Sequence, residues 1–222
     1  MWIKKFKRKQ KPKRVEIFFS IMVGILIFSV MSNLYFILFN ANRNRVVKVV
    51  DGDSFETKDG RRIRLLSVDA PSLDSCMGLE AKEALEIMIG NRIIRLADTV
   101  KDDYGRSLSN VFSGSAFINK EMIKRGLGKY TSVGNKHQEE LSNAALGARE
   151  DRLGIFSSVC RQMEPPAGGC IIKANIRQGK RTYHLPECRN YSQVIIDTSF
   201  GDQWFCSEEE AKAAGFEKAG GC

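Results

Sequence analysis

The hydrophobic pattern sets a long apolar run near the N-terminus apart from a body in which apolar and polar positions alternate. Residues 17–39 carry no charged side chain. As a helix they would span about 35 Å, enough to cross the hydrocarbon core of a membrane. A cleavable signal peptide is the alternative, but it has a shorter apolar core followed by a small-x-small site, which the residues after Phe39 do not offer. The pattern favours an uncleaved transmembrane signal anchor at 17–39.

Five short stretches of the body have the composition and alternation of β-strands. In the third stretch, Ile63 and Leu65 fall on one face of a strand while Arg64 falls on the other. The dipeptide Asp59-Gly60 just before it is a strong signal for a β-hairpin turn. The predicted strands cover residues 45–50, 54–57, 61–67, 92–96 and 108–112.

Helical spacing of apolar residues predicts three helices in the body, at 78–89, 119–125 and 139–149. The element order is therefore three strands, a helix, two strands and two helices, which suits a small closed barrel of the oligonucleotide-binding type. The predicted fold is mixed α+β: a five-stranded OB-type β-barrel with about three helices, plus the transmembrane helix and a small cysteine-stapled C-terminal module. The predicted boundaries are a basic tail at 1–16, the anchor at 17–39, the barrel domain at 45–158, a linker at 159–169 and the module at 170–222.

Positive charge is concentrated ahead of the apolar run. The net charge is +9, and the first sixteen residues hold eight lysines and arginines against a single acid, Glu16. The basic balance therefore says little about a substrate, and a role with nucleic acid has to rest on specific residues. Because cytoplasmic flanks of membrane helices are enriched in Lys and Arg, the tail predicts a single-pass protein with a cytoplasmic N-terminus and an extracytoplasmic body.

All six cysteines lie in the body, which suits three disulfides in an oxidising compartment. A Cys76–Cys160 disulfide would tie the loop after the sequence SVDAP to the end of the barrel domain; the alternative is two unpaired thiols. In the module, the disulfides Cys170–Cys206 and Cys188–Cys222 would staple a segment too small for a large core. A zinc site is the alternative there, with these ligands: His184, Cys188, Cys206 and Cys222.

Carboxylates follow two of the predicted strands, at ends that a barrel would bring side by side. Asp51 and Asp53 lie on the turn after the first strand, and Asp69 follows the third. Converging carboxylates are costly unless a cation neutralises them, and hard oxygen ligands suit Ca²⁺. Arg64 and Arg106, the second in a tight DDYGR turn, would complete a site for a phosphodiester. Each motif alone is weak, and the specificity lies in their order along the chain.

The series VVDGDS, IRLLSVDAP, DDYGR and RLGIF resembles the staphylococcal nuclease-like (thermonuclease) family over residues 45 to about 157. The resemblance implies an oligonucleotide-binding barrel that hydrolyses DNA and RNA with one Ca²⁺ ion and leaves 3′-phosphate ends. The roles it implies are metal ligands Asp53, Asp69 and the Ala70 carbonyl, a supporting acid Asp51, a catalytic phosphate ligand Arg64, a catalytic transition-state stabiliser Arg106 and a phosphate contact Tyr104. The segments IKANI, YHLPEC and WFCSEEEAKAAGF resemble a small module often appended to bacterial nucleases of this type.

Two departures from the family pattern bear on activity. Where an acidic residue assigned as general base usually follows the VDxP segment, this chain has Ser72. A serine hydroxyl is a poor base unless another group activates it. Asp74 or Glu80 would serve as general base only if the loop brings one of them to the site. Of the aromatic residues on which a nucleobase stacks, only Tyr130 remains nearby, which predicts weaker or different substrate selection.

The leading prediction is a membrane-anchored, extracytoplasmic, calcium-dependent endonuclease that hydrolyses phosphodiester bonds of DNA or RNA. The alternative is a degenerate nuclease domain that binds nucleic acid or another anionic polymer with little cleavage, because Ser72 replaces the general base. A structural envelope protein would require the motif positions to coincide by chance.

Overall fold

A computed structural model of the protein describes residues 13–132, 134–166 and 168–222. Helix α1 spans Lys13–Arg43 and forms a unit separate from residues 44–222. Its stretch Glu16–Phe39 is long and apolar enough to cross a membrane, a criterion that an N-terminal signal sequence also meets. The predicted basic tail at 1–16 lies largely outside the described residues.

As far as the structure describes it, the main sheet of the body contains six strands. They are β1 (Val46–Val49), β2 (Ser54–Thr57), β3 (Arg62–Leu65), β5 (Arg95–Lys101), β6 (Ser107–Ser113) and β7 (Ala116–Phe117). The spatial order is β1-β2-β3-β6-β5, with β7 beside β6. Neighbours run antiparallel except β3 and β6, which are parallel.

A closed barrel is not confirmed, because no ladder of strand pairs joins β5 back to β1 within the described residues. The two ends of the strand path meet at one isolated bridge between Arg45 and Ile93. Beside this bridge, the Val46 N–H donates to the Arg92 carbonyl at 2.9 Å. The mixed α+β fold is confirmed.

The alternation predicted for the third strand is confirmed, since β3 buries Ile63 and Leu65. The boundary of β5 differs from the predicted 92–96, because its ladder with β6 continues past a bulge to Lys101. Asp98 takes a left-handed backbone conformation in this bulge, with φ at 50°. Most of the stretch that the sequence analysis left between two strands is therefore itself strand.

Three helices cover the sheet at the predicted places: α2 (Gly78–Ile89), α3 (Ile118–Lys124) and α4 (Gln138–Glu150). Their apolar faces share one core with the sheet, in which Phe55, Leu85 and Leu141 are fully buried. Two short strands, β4 (Val68–Asp69) and β8 (Lys129–Tyr130), pair antiparallel between the end of β3 and α4. This pair matters for the site because Asp69 lies on it.

The C-terminal module is a sheet of four strands covered by one helix within the described residues. The strands are β10 (Ile172–Arg177), β11 (Lys180–His184), β13 (Gln203–Phe205) and β14 (Glu217–Lys218), in the order β13-β10-β11-β14. Helix α5 (Glu208–Ala213) begins after Ser207, whose hydroxyl accepts a hydrogen bond from the Glu210 N–H at 3.2 Å. Ala174, Tyr183 and Phe216 lie in its small core.

The segment around Cys160 and Arg161, which leads into the C-terminal module, is held by strand pairing, hydrogen bonds and a disulfide. Strand β9 (Arg161–Gln162), inside the predicted linker 159–169, pairs with β12 (Ile196–Asp197) of the module. The Thr198 N–H donates to the Cys160 carbonyl at 2.9 Å, and the Thr198 carbonyl accepts from the Cys76 N–H at 3.3 Å. The structure contains the disulfides Cys76–Cys160, Cys170–Cys206 and Cys188–Cys222.

Candidate active site

Asp53 is the most enclosed carboxylate of the candidate site, with 2% of its surface exposed. It follows the Asp51-Gly52 turn, where a side chain on Gly52 would meet the Cβ atoms of Ala70 and Ala81 at under 3 Å. Glycine therefore lets the turn lie against α2 and against the residue after Asp69. The close approach places the Asp53 carboxylate beside the Ala70 N–H, which donates to it at 2.9 Å.

Arg64 joins the two carboxylates that the sequence analysis placed at the site. Its Nη1 lies 2.6 Å from Asp53 Oδ1, and its Nη2 lies 2.7 Å from Asp69 Oδ1. The two acids are sixteen residues apart in the chain, and one guanidinium spans both because β3 runs between them. The Arg64 guanidinium thus brings the Asp53 and Asp69 carboxylates together at one positive charge.

Burial raises the pKa of Asp53 to about 6, and this effect exceeds the opposing attraction of Arg64 and the hydrogen bonds from Ala70 and Ser54. The Ser54 hydroxyl donates to Asp53 Oδ1 at 2.7 Å. A raised pKa means that the ionised carboxylate is still short of compensating charge despite its contacts. An additional cation would therefore favour the charged form of this group.

Asp51 and Asp69 lie nearer to solvent than Asp53. The Asp69 side chain is 44% exposed, and Asp51 Oδ1 accepts from the Asp53 N–H at 3.1 Å. Arg62 approaches Asp51 Oδ2 at 3.9 Å, a distance typical of a weak exposed ion pair. Asp51 thus supports the turn, while Asp69 offers a carboxylate edge on the open side of the cluster.

The donor chemistry of the cluster suits a hard cation. Within the described residues, no three His, Cys, Asp or Glu side chains are placed as a ready metal cage. Asp53 and Asp69 nevertheless each direct a carboxylate oxygen at the Arg64 guanidinium, so one positive charge already lies between them. Calcium takes carboxylate, carbonyl and water oxygens in flexible geometry, and two converging carboxylates with adjacent backbone fit that requirement.

The DDYGR turn connects β5 and β6 and carries Arg106 and Tyr104. The Arg106 Nε donates to Asp102 Oδ2 at 2.6 Å, and the Tyr104 and Arg106 N–H groups donate to Asp102 Oδ1. The pKa of Arg106 is raised by the hydrogen bond to Asp102 and also by the charge of Asp53, so Arg106 lies within the field of the carboxylate cluster. Tyr104 is 85% exposed and presents its ring to solvent.

Ser72 and Asp74 lie on a loop of two tight turns between β4 and α2. The Ser75 N–H donates to the Ser72 carbonyl and the Gly78 N–H donates to the Ser75 carbonyl, each at 2.9 Å. Ser72, Asp74 and Glu80 are all exposed. Within the described residues, the hydrogen bonds and ion pairs of the Asp53–Arg64–Asp69 cluster do not include Asp74 or Glu80, and their role as general base stays a prediction.

Tyr130, the predicted stacking residue, lies on β8. It pairs with Val68 in the β4–β8 ladder and packs, partly buried, against the core. One residue that the sequence analysis missed is Asp102, which positions Arg106. The i, i+4 spacing of an acid and an arginine across a tight turn is the signal that identifies it.

The zinc alternative in the module is wrong. Cys188 and Cys222 form one disulfide and Cys206 pairs with Cys170, so these thiolates are not available to a metal. His184 is partly buried, and burial lowers its pKa. It pairs with Lys173 in the β10–β11 ladder as a structural residue.

Comparison with known proteins agrees with this geometry. Residues 62–158 match the model of the family described as staphylococcal nuclease homologue. An uncharacterized endonuclease of Haemophilus influenzae is 36% identical over 133 residues, which cover 55% of this chain and 75% of that protein. The thermonuclease of Staphylococcus hyicus is 31% identical over 136 residues, covering 54% and 80% of the two chains. A micrococcal nuclease of Shigella flexneri is 27% identical over 128 residues, covering 52% and 74%. The chain belongs to the staphylococcal nuclease family.

Proposed function

We propose that the protein is a membrane-anchored nuclease that hydrolyses phosphodiester bonds of DNA or RNA with the help of Ca²⁺. The observation that carries this proposal is the contact of the Arg64 guanidinium with both Asp53 and Asp69, at 2.6 and 2.7 Å. It places two carboxylates from the motifs VDGDS and SVDAP around one cation position, next to an arginine that can bind phosphate. The names of the relatives, endonuclease and thermonuclease, support the same activity.

The roles of the chain's own residues follow from their contacts. Asp53, Asp69 and the Ala70 carbonyl would hold the ion, and Asp51 would support the turn that presents Asp53. Bound Ca²⁺ would neutralise these carboxylates and withdraw charge from the scissile phosphate. Arg64, relieved of its carboxylate partners, would then be free to donate to a phosphate oxygen.

Arg106 supplies the second guanidinium. Asp102 holds it at the end of a tight turn, within the field of Asp53. A guanidinium placed in advance stabilises the charge that develops on the phosphate and on the leaving oxygen, without reorganisation at the moment of reaction. Tyr104, exposed on the same turn, is placed to contact the phosphate that follows.

A closed oligonucleotide-binding barrel is part of the proposal. The bridge between Arg45 and Ile93 and the hydrogen bond from Val46 to Arg92 support closure between the first strand and the segment before β5. Closure would fix the relative positions of the Asp51–Asp53 turn and β3, which is what a precise site needs.

We place the body of the protein outside the cytoplasm. The apolar helix α1 supports an anchor, and three disulfides support an oxidising compartment. The lysines and arginines ahead of the helix support a cytoplasmic N-terminus. Extracytoplasmic DNA or RNA would then be the substrate.

The experiment follows cleavage of labelled single-stranded DNA by the full-length protein in detergent, with Ca²⁺ or with EDTA. We expect calcium-dependent cleavage, and Arg106→Ala to lower kcat by about 10²–10³-fold, the loss typical of removing a charge-stabilising donor. Arg125→Ala is the matched control, because Arg125 is exposed and its ion-pair partner is Glu121, in α3. Cleavage that persists in EDTA, or that Arg106→Ala leaves intact, would show the proposal to be wrong.

A degenerate domain that binds without cutting is the second candidate function. It is favoured by Ser72 at the position where the family pattern has a general base, and by the exposure of Ser72, Asp74 and Glu80, which the contacts of the carboxylate cluster do not include. Binding without cleavage in the wild-type protein, with activity restored by Ser72→Glu, would establish this alternative. Calcium-dependent cleavage by the wild-type protein would exclude it.

A further inference from the structure

Away from the carboxylate cluster, two adjoining concavities form one basic groove. A cavity of about 180 Å³ includes Lys129, Tyr130, Arg149 and Phe156 in its lining. A larger cavity of about 580 Å³ shares Arg149 and Phe156 and continues over Arg152 and Arg161. The basic groove is defined here by these six residues: Lys129, Tyr130, Arg149, Arg152, Phe156 and Arg161.

The basic groove begins at the strand that pairs with the metal-ligand candidate Asp69. In the antiparallel β4–β8 ladder, Lys129 is the partner of Asp69 and Tyr130 is the partner of Val68. Directly paired residues of an antiparallel ladder point to the same face, so Lys129 and Asp69 share one face. Lys129 also lines the smaller cavity, so the groove begins at the residue that is paired with Asp69.

Charge and aromatic surface alternate along the basic groove. The Arg149 guanidinium carbon lies 5.3 Å from the centroid of the Phe156 ring, and Arg152 follows at the end of α4. In the lining of the larger cavity three arginines face a single carboxylate, Glu164. A positive groove with interleaved aromatic rings is the arrangement that holds the backbone and bases of a single strand.

The far wall of the basic groove is fixed in place by the module. Arg161 lies on β9, which pairs with β12, and the next residue, Gln162, accepts a hydrogen bond from the Trp204 indole N–H at 2.8 Å. The disulfide between Cys76 and Cys160 anchors the residue just before Arg161. The groove is therefore formed before a ligand arrives, which reduces the ordering cost of binding.

We propose that the basic groove binds the single-stranded nucleic acid that continues from the scissile phosphodiester, and that the module serves to complete this groove. The proposal rests on the proposed nuclease function. The arginines at the end of α4 also suit the helix dipole, so the test separates substrate binding from stability.

The experiment compares a strand of about 4 nucleotides with one of about 16 nucleotides, the two ends of the site sizes of single-strand-binding folds. The groove variant of the full-length protein is Arg149→Gln/Arg152→Gln/Arg161→Gln. The control variant, Arg92→Gln/Arg125→Gln/Arg189→Gln, makes the same charge change at exposed positions outside the groove lining. Both proteins keep the basic N-terminal tail, so its contribution cancels.

We expect the groove variant to raise the ratio of KM for the long strand to KM for the short strand about ten-fold, and the control variant to leave that ratio near the wild-type value. The slope of log affinity against log salt for the long strand should fall by about 0.7 for each phosphate that the groove variant no longer neutralises. Thermal unfolding of each variant is recorded as well. Should the groove variant fail to fold, Arg161→Gln alone is used, because Arg161 is outside α4 and is not the arginine that lies over the Phe156 ring.

Equal changes in both variants, or an unchanged ratio in the groove variant, would overturn the proposal. An equal loss of affinity of the groove variant for duplex and for single-stranded nucleic acid would also overturn it. So would a loss of affinity that the groove variant shows only for vesicles with anionic headgroups. If the wild-type protein cleaves neither strand, the nuclease function fails, and fluorescence anisotropy of the labelled long strand decides the groove. Weaker binding by the groove variant than by the control then supports the basic groove, and equal binding overturns it.

Discussion

Arg64 neutralises two carboxylates at once, and Asp53 is the one that depends on it more. Asp53 is almost fully buried, while the Asp69 side chain is 44% exposed and can be solvated. Removing one partner of a buried ion pair leaves an uncompensated charge, which costs more than the pair contributes. The guanidinium therefore has a structural role in the metal-free protein in addition to its proposed role at the phosphate.

In EDTA, Arg64→Gln should destabilise the body by about 3 kcal/mol at pH 8, the scale for a broken buried pair. The penalty should already shrink as the pH falls from 8 toward 6, and it should be small below about 6. Burial raises the pKa of Asp53 to about 6, and losing Arg64 raises it further, so at lower pH the carboxyl is neutral in both proteins and no longer needs the arginine. Thermal unfolding between pH 5 and 8 measures this difference.

Arg62→Gln is the matched control, because Arg62 is on the same strand and its side chain is 57% exposed, 3.9 Å from Asp51. Its effect should stay under about 1 kcal/mol at every pH. A penalty for Arg64→Gln that does not change with pH would contradict the role assigned to Asp53.

At the scale of single residues, motif order predicted three side chains that meet, but it did not predict the partner of Arg106. Asp53, Arg64 and Asp69 were predicted from the motifs VDGDS and IRLLSVDAP, and the structure brings these three side chains together. The roles assigned to them stay predictions. The sequence could not predict the bond from Ser54 to Asp53 or the hold of Asp102 on Arg106, because each depends on a side-chain rotamer.

At the scale of elements, the loop between β4 and α2 depends on Gly78. A Cβ at this position would lie 1.9 Å from the Ser72 carbonyl oxygen, so a side chain requires the loop to move. We expect Gly78→Ala to cost on the order of 2 kcal/mol through backbone strain and to lower kcat, because it displaces Ser72 and, through Pro71, the metal-ligand candidate Ala70. Unfolding and cleavage assays on the same preparation test both effects.

Gly147→Ala provides the comparison. Gly147 is inside α4, and a Cβ there would meet nothing within 4 Å. Alanine in a helix interior should stabilise the protein by about 1 kcal/mol and leave cleavage unchanged. A Gly78→Ala protein with wild-type kcat would show that the loop does not position the site.

Element positions could be predicted where a local signal sets them. Alternation set β3, and glycine and apolar spacing set α2, whose bounds Gly78–Ile89 match the prediction. Strand β5 was misplaced because its extent depends on a partner strand and a bulge at Ala97. The β9–β12 pair joins segments more than thirty residues apart, and no local sequence pattern predicts it.

At the scale of the whole molecule, the Cys76–Cys160 disulfide ties the loop beside the site to the segment that leads into the module. It closes a loop of 84 residues, for which loss of a native disulfide costs about 2–5 kcal/mol. We expect Cys76→Ser/Cys160→Ser to show this loss and, below its unfolding temperature, a higher KM for long strands, because both the site loop and the wall of the basic groove loosen.

Cys170→Ser/Cys206→Ser is the control, since it removes a disulfide confined to the module. It should lower stability with a smaller change in KM for long strands. Equal changes in KM for the two variants would show that the Cys76–Cys160 tie has no special relation to substrate binding. The Cys76–Cys160 tie was predicted from the sequence and is confirmed, but the groove was not, because its wall exists only when β9, β12 and the disulfide are assembled.

The same 84-residue interval also sets an order of events while the protein is being made. Cys76 is synthesised first and has no partner until Cys160 has joined it in a compartment that permits disulfides. Until then the loop carrying Ser72 lacks its covalent tie, and Thr198, whose carbonyl accepts from the Cys76 N–H, is synthesised later still. If the body is exported as proposed above, a chain still facing the cytoplasm would lack this support for the loop beside its proposed site.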